Sequence, residues 1–125
     1  MRPKVLLYHL DADTETGRAL RAVLLAQKIL TLTVRDGQTG ETVGRLVSTN
    51  AAVHDAPAPE TPPREQFMLL CGLGDRQLDR LLAAMRRAGV SVPCKAVLTE
   101  HNQGWTFCQL VEEVAREHEK MKQLH

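Results

Sequence analysis

The chain reads as a mixed α/β domain of the ferredoxin-like kind, a two-layer β-α-β-β-α-β sandwich with a helix added at the carboxyl end. Three observations predict it. V-L-L-Y-H-L with its following helix and L-T-L-T-V resembles F-M-L-L-C-G-L with its helix and K-A-V-L-T, so strand, helix, strand occurs twice. The first strand of each half is apolar on both faces, as a central strand covered by helices must be. Only two crossover helices precede the last one, enough to cover one sheet face. The alternative is a small open sheet of the flavodoxin or thioredoxin kind, with helices on both faces.

Lys4–Leu10 supplies the first strand, and Asp13 or Thr14 can cap a helix that places Leu20, Val23, Leu24 and Ile29 on one stripe. From Leu30 the pattern turns to alternation, L-T-L-T-V, and D-G-Q-T-G leads into E-T-V-G-R-L-V. That predicts a hairpin pairing Leu30–Arg35 with Thr42–Val47. Residues 48–65 hold four of the six prolines and little that could enter a core, which predicts a mobile surface loop or linker within one domain spanning 1–125. Phe67–Leu73 is the second buried strand. Asp75 then caps a helix with Leu78, Leu81, Leu82 and Met85 inward, closed by Gly89, and Val90–Thr99 supplies a further strand.

The best specified local structure follows. Thr106 and Gln109 have the spacing of a capping box, and Trp105 and Leu110 that of a hydrophobic staple. The helix they open carries Leu110, Val111, Val114 and Met121 inward. Before it, Thr99 and Asn102 are the residue types that bond loop backbone and hold a turn.

At 125 residues the chain is long enough to bury roughly two thirds of its unfolded surface without a cofactor or staple. Sixteen basic residues against fifteen acidic leave a net charge of +1, so no overall field draws the protein to polyanions or anionic membranes. Apolar runs fall far short of the roughly 20 residues that span a bilayer. Three widely spaced cysteines, Cys71, Cys94 and Cys108, suit buried free thiols in the cytoplasm better than a disulfide framework.

Several chemistries are excluded or weakened on residue pattern. His9, Asp11 and Asp13, even joined by His54, His101, His118 and Cys94, match no metal-ligand spacing, so no metal and no cofactor is expected. Gly72 and Gly74 precede a helix, but Asp75 stands where phosphate would bind. Four aromatic residues in all leave no stacking platform for RNA, and Arg76, Arg80, Arg86 and Arg87 read as a solvated helix face. Nucleophilic catalysis could use His101 with Cys108, placed where a helix dipole lowers a thiol pKa, or His101 with a neighbouring carboxylate.

From Phe67 to His118, and more faintly from Val5, the chain resembles a family of short bacterial and archaeal proteins catalogued as a domain of unknown function. K-A-V-L-T-x-x-N-x-x-W-T at Lys95–Thr106 carries the likeness, with L-x-E-E-x-x-x-E-H at Leu110–His118. The resemblance implies that Lys95, Thr99, Asn102, Trp105, Glu113, Glu117 and His118 form one constellation, either a fold-locking loop or a site. Together with His101 these are the candidate binding residues. The expected function is a small non-enzymatic binding or regulatory domain that self-associates or meets a protein partner through a sheet edge or the final helix. The alternatives are a small hydrolase or transferase and an accessory subunit of a larger enzyme.

Overall fold

A computed structural model describes residues 1–124. Its elements are β1 (Lys4–Tyr8), α1 (Glu15–Ala26), β2 (Leu30–Val34), α2 (Val43–Ser48), β3 (Phe67–Cys71), α3 (Asp75–Arg87), β4 (Cys94–Val97) and α4 (Phe107–Gln123), with short 3-10 turns at Asp36–Gln38 and Asn102–Gly104. The four strands form one open mixed sheet in the order β2-β1-β3-β4. β1 runs parallel to β2 and antiparallel to β3, and β3 runs parallel to β4.

Strict alternation along the strands divides the side chains between two cores. Val5, Leu7, Met68 and Leu70 meet Leu20 and Leu24 of α1 and Leu81 and Met85 of α3. Leu6, Tyr8, Phe67 and Leu69 meet Val43, Leu46 and Val47 of α2 and Phe107, Leu110 and Val111 of α4. Helices therefore cover both faces, in three layers. Each fully buried side chain of this size contributes roughly 1.5–3 kcal/mol. Tyr8, Phe67 and Phe107 also meet edge-on, with ring centroids 5.6 and 5.5 Å apart.

The ferredoxin-like expectation is corrected on two counts. In a split β-α-β arrangement another strand separates the two strands of each unit; here β1 and β2, and likewise β3 and β4, are direct parallel neighbours. The expected hairpin partner Thr42–Val47 is instead α2, capped by the Thr42 side chain, which accepts from the Arg45 N–H. Val43, Leu46 and Val47 have helical spacing and are all buried, and that favours one short helix over a strand. Smaller corrections follow from cap geometry. Of the two caps expected for α1, Thr14 is the one used, whereas at α3 Gly74 and not the expected Asp75 stands at the cap. Ile29 lies beyond α1, where its N–H bonds to the Leu24 carbonyl and its side chain closes the helix end.

The chain is thus two β-α-β-α units meeting at the β1–β3 pair. They join again where Thr42 and Thr106, the caps of α2 and α4, form an isolated antiparallel bridge. There the Val43 N–H donates to the Trp105 carbonyl and the Phe107 N–H to the Glu41 carbonyl, both at 2.9 Å.

Candidate functional site

The loop after β4 is held by its own side chains. Asn102 Oδ1 accepts from the Thr99 N–H at 2.9 Å, Thr99 Oγ1 accepts from the Asn102 N–H at 3.1 Å, and Asn102 Nδ2 donates to the Val97 carbonyl at 3.0 Å. Asn102 is buried, so its amide closes the turn and offers nothing to solvent. Trp105 is half-buried against the core, and exposed His101 meets it edge-on with ring centroids 5.3 Å apart. The expected capping box is present: Thr106 Oγ1 accepts from the Gln109 N–H and Gln109 Oε1 accepts from the Thr106 N–H.

The other candidate residues separate. Trp105 and Glu113 line a cleft of about 250 Å³ with Gln109, Glu112 and Arg116. There Arg116 donates to Glu113 at 2.6 Å and holds its carboxyl below the usual range. His118 lies further along α4, in a cleft with Cys94, Glu65 and Lys122. Glu117 is exposed on α4. Lys95 lies on the edge strand β4 and donates to the Val92 carbonyl at 3.2 Å, beside Leu82, Met85 and Val90. The structure therefore joins Thr99 to Asn102 and His101 to Trp105, and Trp105 to Glu113 through a cleft. It does not gather all eight.

Cys108 Sγ donates to Glu112 Oε1 at 3.2 Å. Burial, the hydrogen bond and the Glu112 charge push its thiol up to about 11, the reverse of the lowering expected from the helix dipole. Burial likewise raises Cys94, and pushes Cys71 up to about 12.

A second cluster was not singled out from the sequence. At the end of β1, His9 adopts φ +57°, the left-handed region that non-glycine residues rarely enter. Its ring stacks on Tyr8 at 3.9 Å, Nδ1 lies 3.0 Å from the Arg64 carbonyl and Nε2 lies 2.6 Å from Asp36 Oδ1. The Tyr8 hydroxyl lies 2.5 Å from the Pro63 carbonyl and 2.7 Å from the same Asp36 oxygen. Both partners of the imidazole are acceptors, so both are satisfied only when the ring carries two protons. Burial opposes that charge, but the bonds to the Arg64 carbonyl and to Asp36 outweigh it and raise the His9 pKa. Bonds from Tyr8 and His9 lower that of Asp36, and burial followed by Asp36 raises that of Tyr8.

This cluster fastens the proline-rich segment, and other bonds continue the work. Gln38 Nε2 donates to the Ala51 and Val53 carbonyls at 2.7 and 2.8 Å. Glu41, 1% exposed, accepts from the Ala56 N–H at 2.5 Å and from Arg45, which also reaches Asp55. The segment is a strap laid over the first unit. One signal in the sequence could have exposed the cluster: matching the two units places His9 of Y-H-L against Gly72 of C-G-L, and Gly72 has φ +73°. Glycine is the easy solution there, so a histidine in that place marks work for its side chain.

Among the described residues no three His, Cys, Asp or Glu side chains converge as a ligand group, and no helix is long and apolar enough to cross a membrane. Residues 66–121 match a family described as Domain of unknown function (DUF3783). That match covers β3, α3, β4 and most of α4, the second unit of the duplicated architecture. No curated protein and no solved structure matches the chain.

Proposed function

We propose that the protein is a small cytoplasmic, non-enzymatic binding domain that associates with further copies of itself, using the loop Thr99–Trp105 and the outer face of α4. One observation carries this: the two units end differently. The first unit's end is roofed by the strap, with Tyr8, His9, Gln38 and Glu41 all bonded to it. The equivalent end of the second unit, with His101, Gln103, Gly104 and Gln109, stands exposed. Moreover, α2 stops after 6 residues, whereas α4 continues for 17. Its fully buried residues Phe107, Leu110 and Val111 lie in the first turns, Val114 and Ala115 pack partly on the core, and from Glu119 to Leu124 its side chains are exposed. Trp105 would supply apolar area, His101, Glu113, Glu117 and His118 charge and hydrogen bonds, and Asn102 with Thr99 the rigidity of the loop.

Three thiols without a disulfide suit a reducing compartment. The enzyme reading has weaker support, because a nucleophile needs a depressed thiol pKa and Cys108 has a raised one. Sedimentation or light scattering over a wide concentration range tests the proposal. The average mass should climb with concentration, and a constant monomer mass would remove it.

A further inference from the structure

Residues 38–45 and 102–109, Q-T-G-E-T-V-G-R and N-Q-G-W-T-F-C-Q, hold the same place in the two units, with Thr42 and Thr106 as the matched caps. In the first unit this stretch carries part of the strap. A Cβ at Gly40 would stand 2.0 Å from the Pro57 carbonyl oxygen, so strap backbone passes directly over that glycine. Glu41 accepts from the Ala56 N–H, and Arg45 meets Asp55 at 3.2 Å. Asp55, Ala56 and Pro57 thus cross the end of the unit on a glycine, a carboxylate and a guanidinium.

The second unit keeps the glycine without the segment. A Cβ at Gly104 would meet nothing within 4 Å, and its φ lies outside the left-handed region. Neither backbone conformation nor packing within this chain asks for glycine there. Beside it Trp105 stands half-buried in the place of the buried Glu41, and exposed Gln109 in that of Arg45. Gln109 Oε1 is taken by the Thr106 N–H, which leaves Nε2 free to donate. The cleft that Trp105 and Gln109 line holds Glu112, and Glu113 bonded to Arg116, with Lys120 one turn beyond, so Glu112 is the surplus charge of its lining. The rest of the strap contact has no twin, since Tyr8 and His9 are matched by Cys71 and Gly72, and Asn102 is turned to its own loop.

We propose that the open end of the second unit takes a short, extended, proline-bearing segment of a partner protein. Its backbone crosses Gly104 as Pro57 crosses Gly40, its proline ring lies on the Trp105 indole, and one of its carbonyls accepts from Gln109 Nε2. A basic residue faces Glu112, where the strap brings Asp55 to Arg45. Proline suits such a contact because its fixed φ leaves little order to be imposed on docking, and its ring packs flat on an aromatic face. This rests on the reading of that end as a binding surface and names a partner for it. The strap of a second copy is not that partner, because Tyr8, Gln38 and Glu41 of its own unit hold it. The outer face of α4 stays free for further copies. With only three or four residues engaged, the contact belongs with weak, transient ones.

Trp105 is the one tryptophan of the chain, so its emission reads docking directly. The probe is a synthetic, fluorescein-labelled copy of residues 53–59 carrying Asp55→Lys, titrated into the full chain. It should shift the indole emission to saturation and bind about threefold more tightly than the same peptide with Asp55 kept. Replacing both prolines, Pro57→Gly with Pro59→Gly, should weaken it about tenfold. In the protein, Gly104→Ala should unfold at the wild-type midpoint yet lose about tenfold or more in affinity by anisotropy, because the new Cβ stands where the segment's backbone must pass. Glu112→Gln should erase the preference for lysine over aspartate. A probe that does not bind, a proline-free peptide that binds as well, or a Gly104→Ala chain that binds like the wild type overturns the proposal. Mass that rises with concentration while no peptide binds removes the docked segment and leaves self-association standing. Peptide binding by a chain that stays monomeric does the reverse.

Discussion

At the end of its first strand the amino-terminal unit keeps His9 at φ +57°, where the carboxyl-terminal unit has Gly72 at +73°. After its first helix it keeps Lys28 at +59°, where the other has Gly89 at +71°. The loop amides differ in the same sense. Gln38 and Asn102 each accept from the backbone N–H three residues earlier, but Gln38 then reaches the Ala51 and Val53 carbonyls, whereas the shorter Asn102 turns back to Val97. One backbone plan thus supports two uses. The first unit spends its left-handed positions and longer side chains on holding the strap and presenting charge, while the second is closed on itself and leaves its end open.

The largest effect that could break this comparison concerns two matched glycines. A Cβ at Gly40 would meet the Pro57 carbonyl oxygen at 2.0 Å, whereas at Gly104 it would meet nothing within 4 Å. The first obstacle is strap backbone, which no rotamer change relieves, so Gly40→Ala should destabilise by about 3 kcal/mol or lift the strap. Gly104→Ala should stay within about 0.5 kcal/mol of wild type. Urea unfolding of both measures the difference, and equal effects would mean that the strap does not roof the first unit. Next in size, Gln38→Ala leaves buried strap carbonyls without donors, at about 1–3 kcal/mol. Proteolysis within residues 51–65 should accelerate in that variant and not in Asn102→Ala, which opens only its own turn.

A smaller effect is set by pH. The folded pKa of His9 is raised above 6.5, so its contribution is fully present below about 6.5 and fades as pH rises through the folded value. Asp36 is lowered from 3.8, so its contribution is present above that value and is lost as pH falls through the folded one. Protection of the amides beside Pro63 and Arg64 against hydrogen exchange, corrected for intrinsic rates, should therefore be greatest between those limits and decline above pH 6.5. His9→Gly copies the second unit, relaxes the backbone and should abolish that upper decline. An unchanged profile in His9→Gly would show that the imidazole does not hold the strap.

Much of this architecture was legible, because its signals are local. Apolar runs gave β1 and β3, alternation gave β2, and the Thr106–Gln109 pair gave the start of α4 to the residue. What escaped depended on contacts distant in sequence. α2 has 6 residues and follows a D-G-Q-T-G run that suits a hairpin turn, so the helical spacing of Val43, Leu46 and Val47 is too short a signal to outweigh that turn. The strand order rests on β1 pairing with β3 across the whole first unit, which no local pattern encodes. The Tyr8–His9–Asp36 cluster draws on β1, a 3-10 turn and the strap. Asn102 was legible as a loop lock because its partners lie within five residues of it.

The smallest predicted effect asks why the first unit tolerates Lys28. Both first helices end alike: the N–H two residues past the cap returns to the carbonyl five residues earlier, Ile29 to Leu24 and Val90 to Met85. That closure requires a left-handed residue, which glycine adopts without the strain that a Cβ brings. Lys28→Gly should therefore stabilise the fold by about 0.5–1 kcal/mol, and Gly89→Lys should destabilise it by a similar amount, both read as shifts in the urea midpoint at constant slope. Lys28 lines a cleft at the end of α1 with Arg2 and Arg21, and among the described residues it reaches no carboxylate. If that charge is the reason for the strain, the Lys28→Gly chain should be more stable yet associate less with its neighbours. Greater stability with unchanged association would leave the lysine without a purpose in self-association, and a loss of stability would show that the helix end is not strained at all.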